Sequence, residues 1–169
     1  MYPQTLDARI AELDTARAML LKALDSKTDK QSGWSVTEIA YHLYLAEKQI
    51  TETLQSLLKQ ADTSSRPSDD QLREEWEKVV AFLSDKNIRM EAPESVVPIN
   101  PPPLERTKEL LAESRKALLE LLSKATLDEV ASVSFPHPFR RIGRLSGLGW
   151  LSLLAHHERR HALQICDSV

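Results

Sequence analysis

Residues 34–57 read WSVTEIAYHLYLAEKQITETLQSL, and the fold follows from this stretch. Ser35-Val36-Thr37-Glu38 is a capping box: the serine oxygen accepts one orphan N–H at a helix start, and the glutamate reaches back to another. From there Ile39, His42, Leu43, Ala46, Ile50, Leu54 and Leu57 recur at helical spacing on one stripe. The spacing predicts an amphipathic helix that ends near Gln60, before ADTSSRPSDD, a loop by composition.

A helix with one apolar face needs partners, and the rest of the chain supplies them. Thr5 to Leu24 carries Leu6, Ile10, Leu13, Leu20 and Leu24 at the same period, until the polar run DSKTDKQSG breaks it. A shorter helix is expected over Gln71–Leu83. Next comes DKNIRMEAPESVVPINPPP; its prolines 101–103 cannot lie inside a helix but can stand just before one. A third long helix is expected from Leu104 to Ser123, with Leu110, Leu111, Leu118, Leu121 and Leu122 on its stripe. The segment SVSFPHPFRRIGRL, with proline on both sides of His137, reads as an ordered loop, and no convincing sheet is visible anywhere. The last helix starts near Ser146 and carries Leu148, Leu151, Leu154, His157, His161 and Ile165.

Four long amphipathic helices predict an all-α protein, one four-helix-bundle domain over residues 1–169. The first two are joined by a short loop and should be antiparallel. The second and third are separated by roughly forty residues, enough chain to run back along the bundle. That permits a parallel pair, an up-down-down-up order, and a long crossover insertion between helices two and three.

The bulk composition agrees. Four glycines in 169 residues and 5% aromatics, with abundant Leu, Ala, Glu and Lys, favour helix. A net charge of −3 gives no field for nucleic acid. No apolar run approaches the ~18 residues of a membrane span. The N-terminal segment lacks the apolar core of a signal peptide, and a single cysteine, Cys166, allows no internal disulfide. The expected compartment is the cytoplasm.

The chemistry-bearing residues lie in LLAHHERRHALQI, residues 153–165. His157 and His161 are one helical turn apart, the spacing with which a helix offers two imidazoles to one ion. His42 sits on the apolar stripe of the second helix. Burying an unpartnered imidazole costs on the order of 1–3 kcal/mol, so three aimed at one core need a common partner. Three neutral imidazoles with one open position are the ligand set of a reactive zinc-like site. The alternative is that each is a satisfied core residue. His156 is five residues from His161 and turned away from that face. His157-Glu158-Arg159-Arg160-His161 also matches the H-E-x-x-H pattern of zinc proteases, but those enzymes set the glutamate beside a substrate strand. Glu38, Glu47 and Glu158 are candidate bases; Glu38 belongs to the capping box, and the other two are expected to be solvated or paired. Nothing in the sequence marks Cys166 as a nucleophile.

Trp34 through Leu43, with Ala46-Glu47 after it, resembles the second-helix signature of the DinB-like superfamily. His137-Pro138-Phe139, Gly143, Trp150 and the run His157 to Ile165 resemble its C-terminal signature. The resemblance implies an up-down-down-up bundle holding a divalent metal, zinc or nickel, on His42, His157 and His161. Some relatives are S-transferases acting with bacillithiol, mycothiol or glutathione, and one group is a maleylpyruvate isomerase. Homodimers are common among them. The expected function is therefore a metal-dependent enzyme that joins a small-molecule substrate to a low-molecular-weight thiol. The alternatives are a non-catalytic metal- or ligand-binding bundle and a metal-dependent hydrolase. The His137 loop and the insertion between roughly Pro67 and Pro103 should shape the mouth of the site, with Trp34.

Overall fold

Two apolar clusters fix the direction of every long helix in a computed structural model that describes residues 1–26, 33–88 and 90–166. The long helices are α1 (Leu6–Asp25), α2 (Val36–Leu58), α4 (Leu104–Leu122) and α6 (Gly147–Cys166); α3 (Asp69–Ser84) lies in the crossover and α5 (Leu127–Ser132) follows α4. One cluster joins Leu20 and Leu24 at the end of α1 to Val36, Ile39 and Leu43 at the start of α2, Leu111 of α4, and Ala162 and Ile165 at the end of α6. The other joins Leu13 of α1 to Ile50 and Leu54 late in α2, Leu118 and Leu122 at the end of α4, and Leu148, Leu151 and Leu154 early in α6. Thus α1 and α6 run one way and α2 and α4 the other, the expected up-down-down-up order. Leucines dominate both clusters, and each fully buried one contributes about 2 kcal/mol. The polar break after α1 falls mostly on residues 27–32, outside the described residues.

The capping box at Ser35 is present: Glu38 N–H donates to Ser35 Oγ at 3.1 Å, and Ser35 N–H to Glu38 Oε2 at 2.7 Å. Two further boxes start α3 (Ser68 with Gln71) and α5 (Thr126 with Glu129). The segment read as a plain loop proves to be a small antiparallel hairpin. β1 (Ser134–Pro136) pairs with β2 (Arg144–Ser146), Phe135 opposite Leu145. Proline hid the strand: Pro136 has no N–H to give the ladder, which tolerates it only as an edge residue.

The crossover is tied to both ends of α6 through α3. From the middle of α3, Glu75 accepts from the N–H (2.8 Å) and from the hydroxyl of Ser146, the residue just before α6, while Ser146 Oγ caps the Gly149 N–H at 3.0 Å. Two glycines make this approach possible. A Cβ on Gly147 would collide with the Val130 carbonyl oxygen, and one on Gly149 with the Glu75 carboxylate. At the other end, Arg160 donates to the carbonyls of Leu83, Asp85 and Ile88 at 2.7–2.8 Å, holding the C-terminus of α3 and the turn beyond it.

Candidate metal centre

His42, His157 and His161 converge. Each offers one ring nitrogen to a single group whose atoms lie within 4.8 Å of one another. His157 Nε2 is the hub, 3.3 Å from His42 Nε2 and 3.1 Å from His161 Nε2. Ligand nitrogens about 2.0–2.1 Å from a tetrahedral ion stand roughly 3.3 Å apart. Helix α2 provides His42 and one turn of α6 provides the other two, so the antiparallel α2–α6 contact builds the group.

The outer ring nitrogens decide the tautomers. His42 Nδ1 lies 2.8 Å from the Val96 carbonyl oxygen, and His161 Nδ1 lies 2.9 Å from Gln164 Oε1. Both oxygens accept, so both Nδ1 atoms carry the proton and both Nε2 lone pairs face His157. His157 has one proton at most and can satisfy only one of them. Burial lowers all three pKa values: His42 below its ordinary value, His161 to about 3, and His157 well below its ordinary value, where its two neighbours add repulsion. All three are therefore neutral near pH 7, and no imidazolium proton fills the centre. A neutral ligand with its far N–H bonded to an oxygen is the arrangement that orients histidine for a metal. The donor set fits a divalent ion.

The triad forms the floor of a cleft of roughly 1630 Å³. Trp34, His137 and the crossover residues Leu83, Met90, Pro93 and Val97 are among its walls, as expected. The Trp34 ring lies against His42, centroids 5.0 Å apart. Val96, whose carbonyl holds His42, belongs to a single 3₁₀ turn, Glu94–Val96. The crossover thus supplies both a wall and the acceptor that orients a triad histidine.

The other sequence candidates go elsewhere. His156 lies at the edge of the same cleft but is taken by Glu12 of α1, 3.2 Å away, and does not join the triad. Cys166 is exposed at the end of α6. Glu38 stays in its cap. Glu47 and Glu158 are buried, and both meet arginines. Arg17 donates to Glu158 Oε1 at 2.6 Å and to Glu47 Oε1 at 3.0 Å; Arg115 donates to Glu47 Oε2 and to Glu158 Oε1. Burial raises the Glu158 carboxyl above its ordinary value although both guanidinium groups pull it down. Glu158 therefore faces the bundle interior, away from the triad, and cannot act as the base of a zinc protease.

The sequence reading missed Arg17 and Arg115. A signal existed: Arg17 falls between Leu13 and Leu20 on the α1 stripe, and Arg115 between Leu111 and Leu118 on that of α4.

Comparison with known proteins agrees with the fold. The chain is similar to the uncharacterized protein YuaE of Bacillus subtilis (strain 168), 26% identical over 163 residues, covering 94% of this chain and 91% of that one. Its structure is similar to the crystal structure of TT2238, a four-helix bundle protein, with a TM-score of 0.62, 26% identity, and 98% and 100% of the two chains covered. A family model described as the DinB superfamily matches residues 12–165, nearly the whole bundle with all three histidines, and the chain belongs to that superfamily.

Proposed function

We propose that this protein is a divalent-metal enzyme, with zinc or nickel held by His42, His157 and His161, that transfers a small, largely apolar substrate to a low-molecular-weight thiol. The observation that carries the reading is the inward aim of the His42 and His161 lone pairs at one hub, with one proton at most between them. A divalent ion there would supply Lewis acidity, lowering the pKa of a coordinating thiol or water.

The three candidate carboxylates favour a thiol over water. Glu38, Glu47 and Glu158 are committed to a helix cap or to arginines. None of them is placed to take a proton from water beside the triad. A thiol, with an ordinary pKa near 8.5, needs less help to ionise. Apolar residues make up most of the cleft walls and suit a substrate with an apolar body. Membership of the superfamily supports a homodimer, and the single cysteine suits a reducing cytoplasm.

The test is metal analysis of the purified protein, followed by conjugation of an electrophile with bacillithiol, mycothiol or glutathione. The expected result is thiol transfer that chelation abolishes and that His161→Ala loses while its circular dichroism stays helical. If metal-loaded protein transfers no thiol across that panel, the bundle binds a metal without this chemistry.

A further inference from the structure

His137 is held more firmly than a wall of the cleft requires. Its own N–H donates to the Gly143 carbonyl at 2.8 Å, continuing the β1–β2 ladder by one step. Gly143 takes φ +84°, a left-handed conformation open to glycine, and brings the chain back toward β2. The imidazole packs against two aromatic rings, Trp150 at 5.3 Å and Phe139 at 5.6 Å between centroids, inclined to it by 27° and 26°. Trp150 is itself stacked on Phe135 and donates its indole N–H to the Phe135 carbonyl at 3.2 Å.

The remaining contact fixes the tautomer. The Phe139 backbone N–H, which can only donate, lies 3.0 Å from His137 Nδ1. Nδ1 therefore carries the lone pair, and the proton of the neutral ring is on Nε2. Protonating Nδ1 would set two donors against each other. Burial of the ring acts in the same direction and lowers its pKa to about 4. Nε2 has no partner among the described residues. The ring lines the same cleft as the triad, near enough that a charge on it would be felt at His157.

We propose that His137 is a substrate-binding donor, its neutral Nε2–H taking the acceptor oxygen of an uncharged carbonyl compound with an apolar body. This rests on the reading that the cleft over the triad is the substrate site. A neutral imidazole is too weak an acid to surrender that proton, so the group binds and polarises the oxygen. The walls nearby, with Ile50, Leu83, Met90, Val97 and Leu153, suit an apolar body. Three cations also line the cleft: the Arg160 guanidinium is spent on three backbone carbonyls, and Lys86 and Arg159 are exposed, where water screens their charge.

The experiment compares two molecules of one shape, acetophenone and α-methylstyrene, which differ in having C=O or C=CH2. Their binding is followed by NMR on the full chain, stripped of metal with EDTA and labelled with nitrogen-15 histidine. The wild type should show the His137 proton on Nε2 and should prefer acetophenone by about 3- to 10-fold, the effect of one hydrogen bond. His137→Phe, which keeps an aromatic ring in the stack, should bind α-methylstyrene as before and lose the preference. His137→Gln, which places an amide N–H near the Nε2 position, should regain part of it. A proton on Nδ1, no preference in the wild type, or a preference that survives in His137→Phe overturns the proposal. If His137→Phe binds neither compound, His137→Gln decides, and absence of preference there overturns it. Metal uptake is read separately, so failure of the metal reading leaves this result interpretable.

Discussion

Arg17 donates two hydrogen bonds to Glu158 Oε1, at 3.1 and 2.6 Å, and so ties the middle of α1 to α6 one residue from the hub of the histidine triad. His157 and Glu158 are neighbours in sequence, yet one faces the cleft and the other the bundle interior. The histidine side is poised for a ligand, while the glutamate side is closed by two arginines, Glu47 and Ser114.

A buried charge that loses its partner is costly, whereas removing both partners often is not. Arg17→Met should therefore destabilise the protein by about 3–5 kcal/mol. The double variant Arg17→Met/Glu158→Leu should cost clearly less than the sum of the two single changes. Urea unfolding of the four proteins of this cycle measures the coupling, and additive costs would show that the network does not act as a unit.

The two glycines at the start of α6 give a ranked prediction. Alanine in a helix is ordinarily better than glycine by about 1 kcal/mol. Here the added methyl meets backbone at Gly147 and the end of a flexible carboxylate at Gly149. Gly147→Ala should lose about 2–3 kcal/mol despite the propensity gain, because Val130 cannot move without shifting α5. Gly149→Ala should lose less, because Glu75 can swing aside and give up its bonds to Ser146. The order of the urea midpoints checks this, and a stabilised Gly147→Ala would contradict it.

Much of this structure is legible in the sequence, and what is not falls into two kinds. The Ser35 box, the four stripes and the His157–His161 spacing are local patterns, and local patterns survive in a sequence. The boxes at Ser68–Gln71 and Thr126–Glu129 are equally local but went unread, and with the second the six-residue α5, too short to show a repeating stripe. By contrast, β1 and β2 pair across a turn and contain a proline, so neither strand announces itself. The ionic network depends on four residues from four helices. Each charge interrupts an apolar stripe, but only the assembled bundle shows that Arg17, Glu47, Arg115 and Glu158 answer one another.

Acid should weaken the metal-free protein before its carboxylates titrate. An unfolded histidine titrates near pH 6.5. In the native state burial lowers His137 to about 4 and His161 to about 3. Below pH 6.5 the unfolded chain thus binds protons that the native state refuses, and stability falls as pH drops toward 4. His137 lines the open cleft, so solvent moderates its share of that loss. Urea midpoints at pH 7.5 and 5.0 measure the loss, which should shrink in His137→Gln. Equal midpoints at the two pH values would contradict the account.

The central claim is that three inward-facing imidazoles hold one divalent ion. Calorimetric titration of the metal-free protein with zinc, and separately with nickel, tests it most directly, with His42→Ala, His157→Ala and His161→Ala measured alongside. The account predicts one ion per chain for the wild type and an affinity loss of more than about 100-fold in each variant, beyond the 10–100-fold typical of losing an outer partner of a ligand. All three variants should remain folded bundles. Wild-type protein that takes up neither ion, or that binds it as tightly after any one of the three histidines is removed, would contradict it.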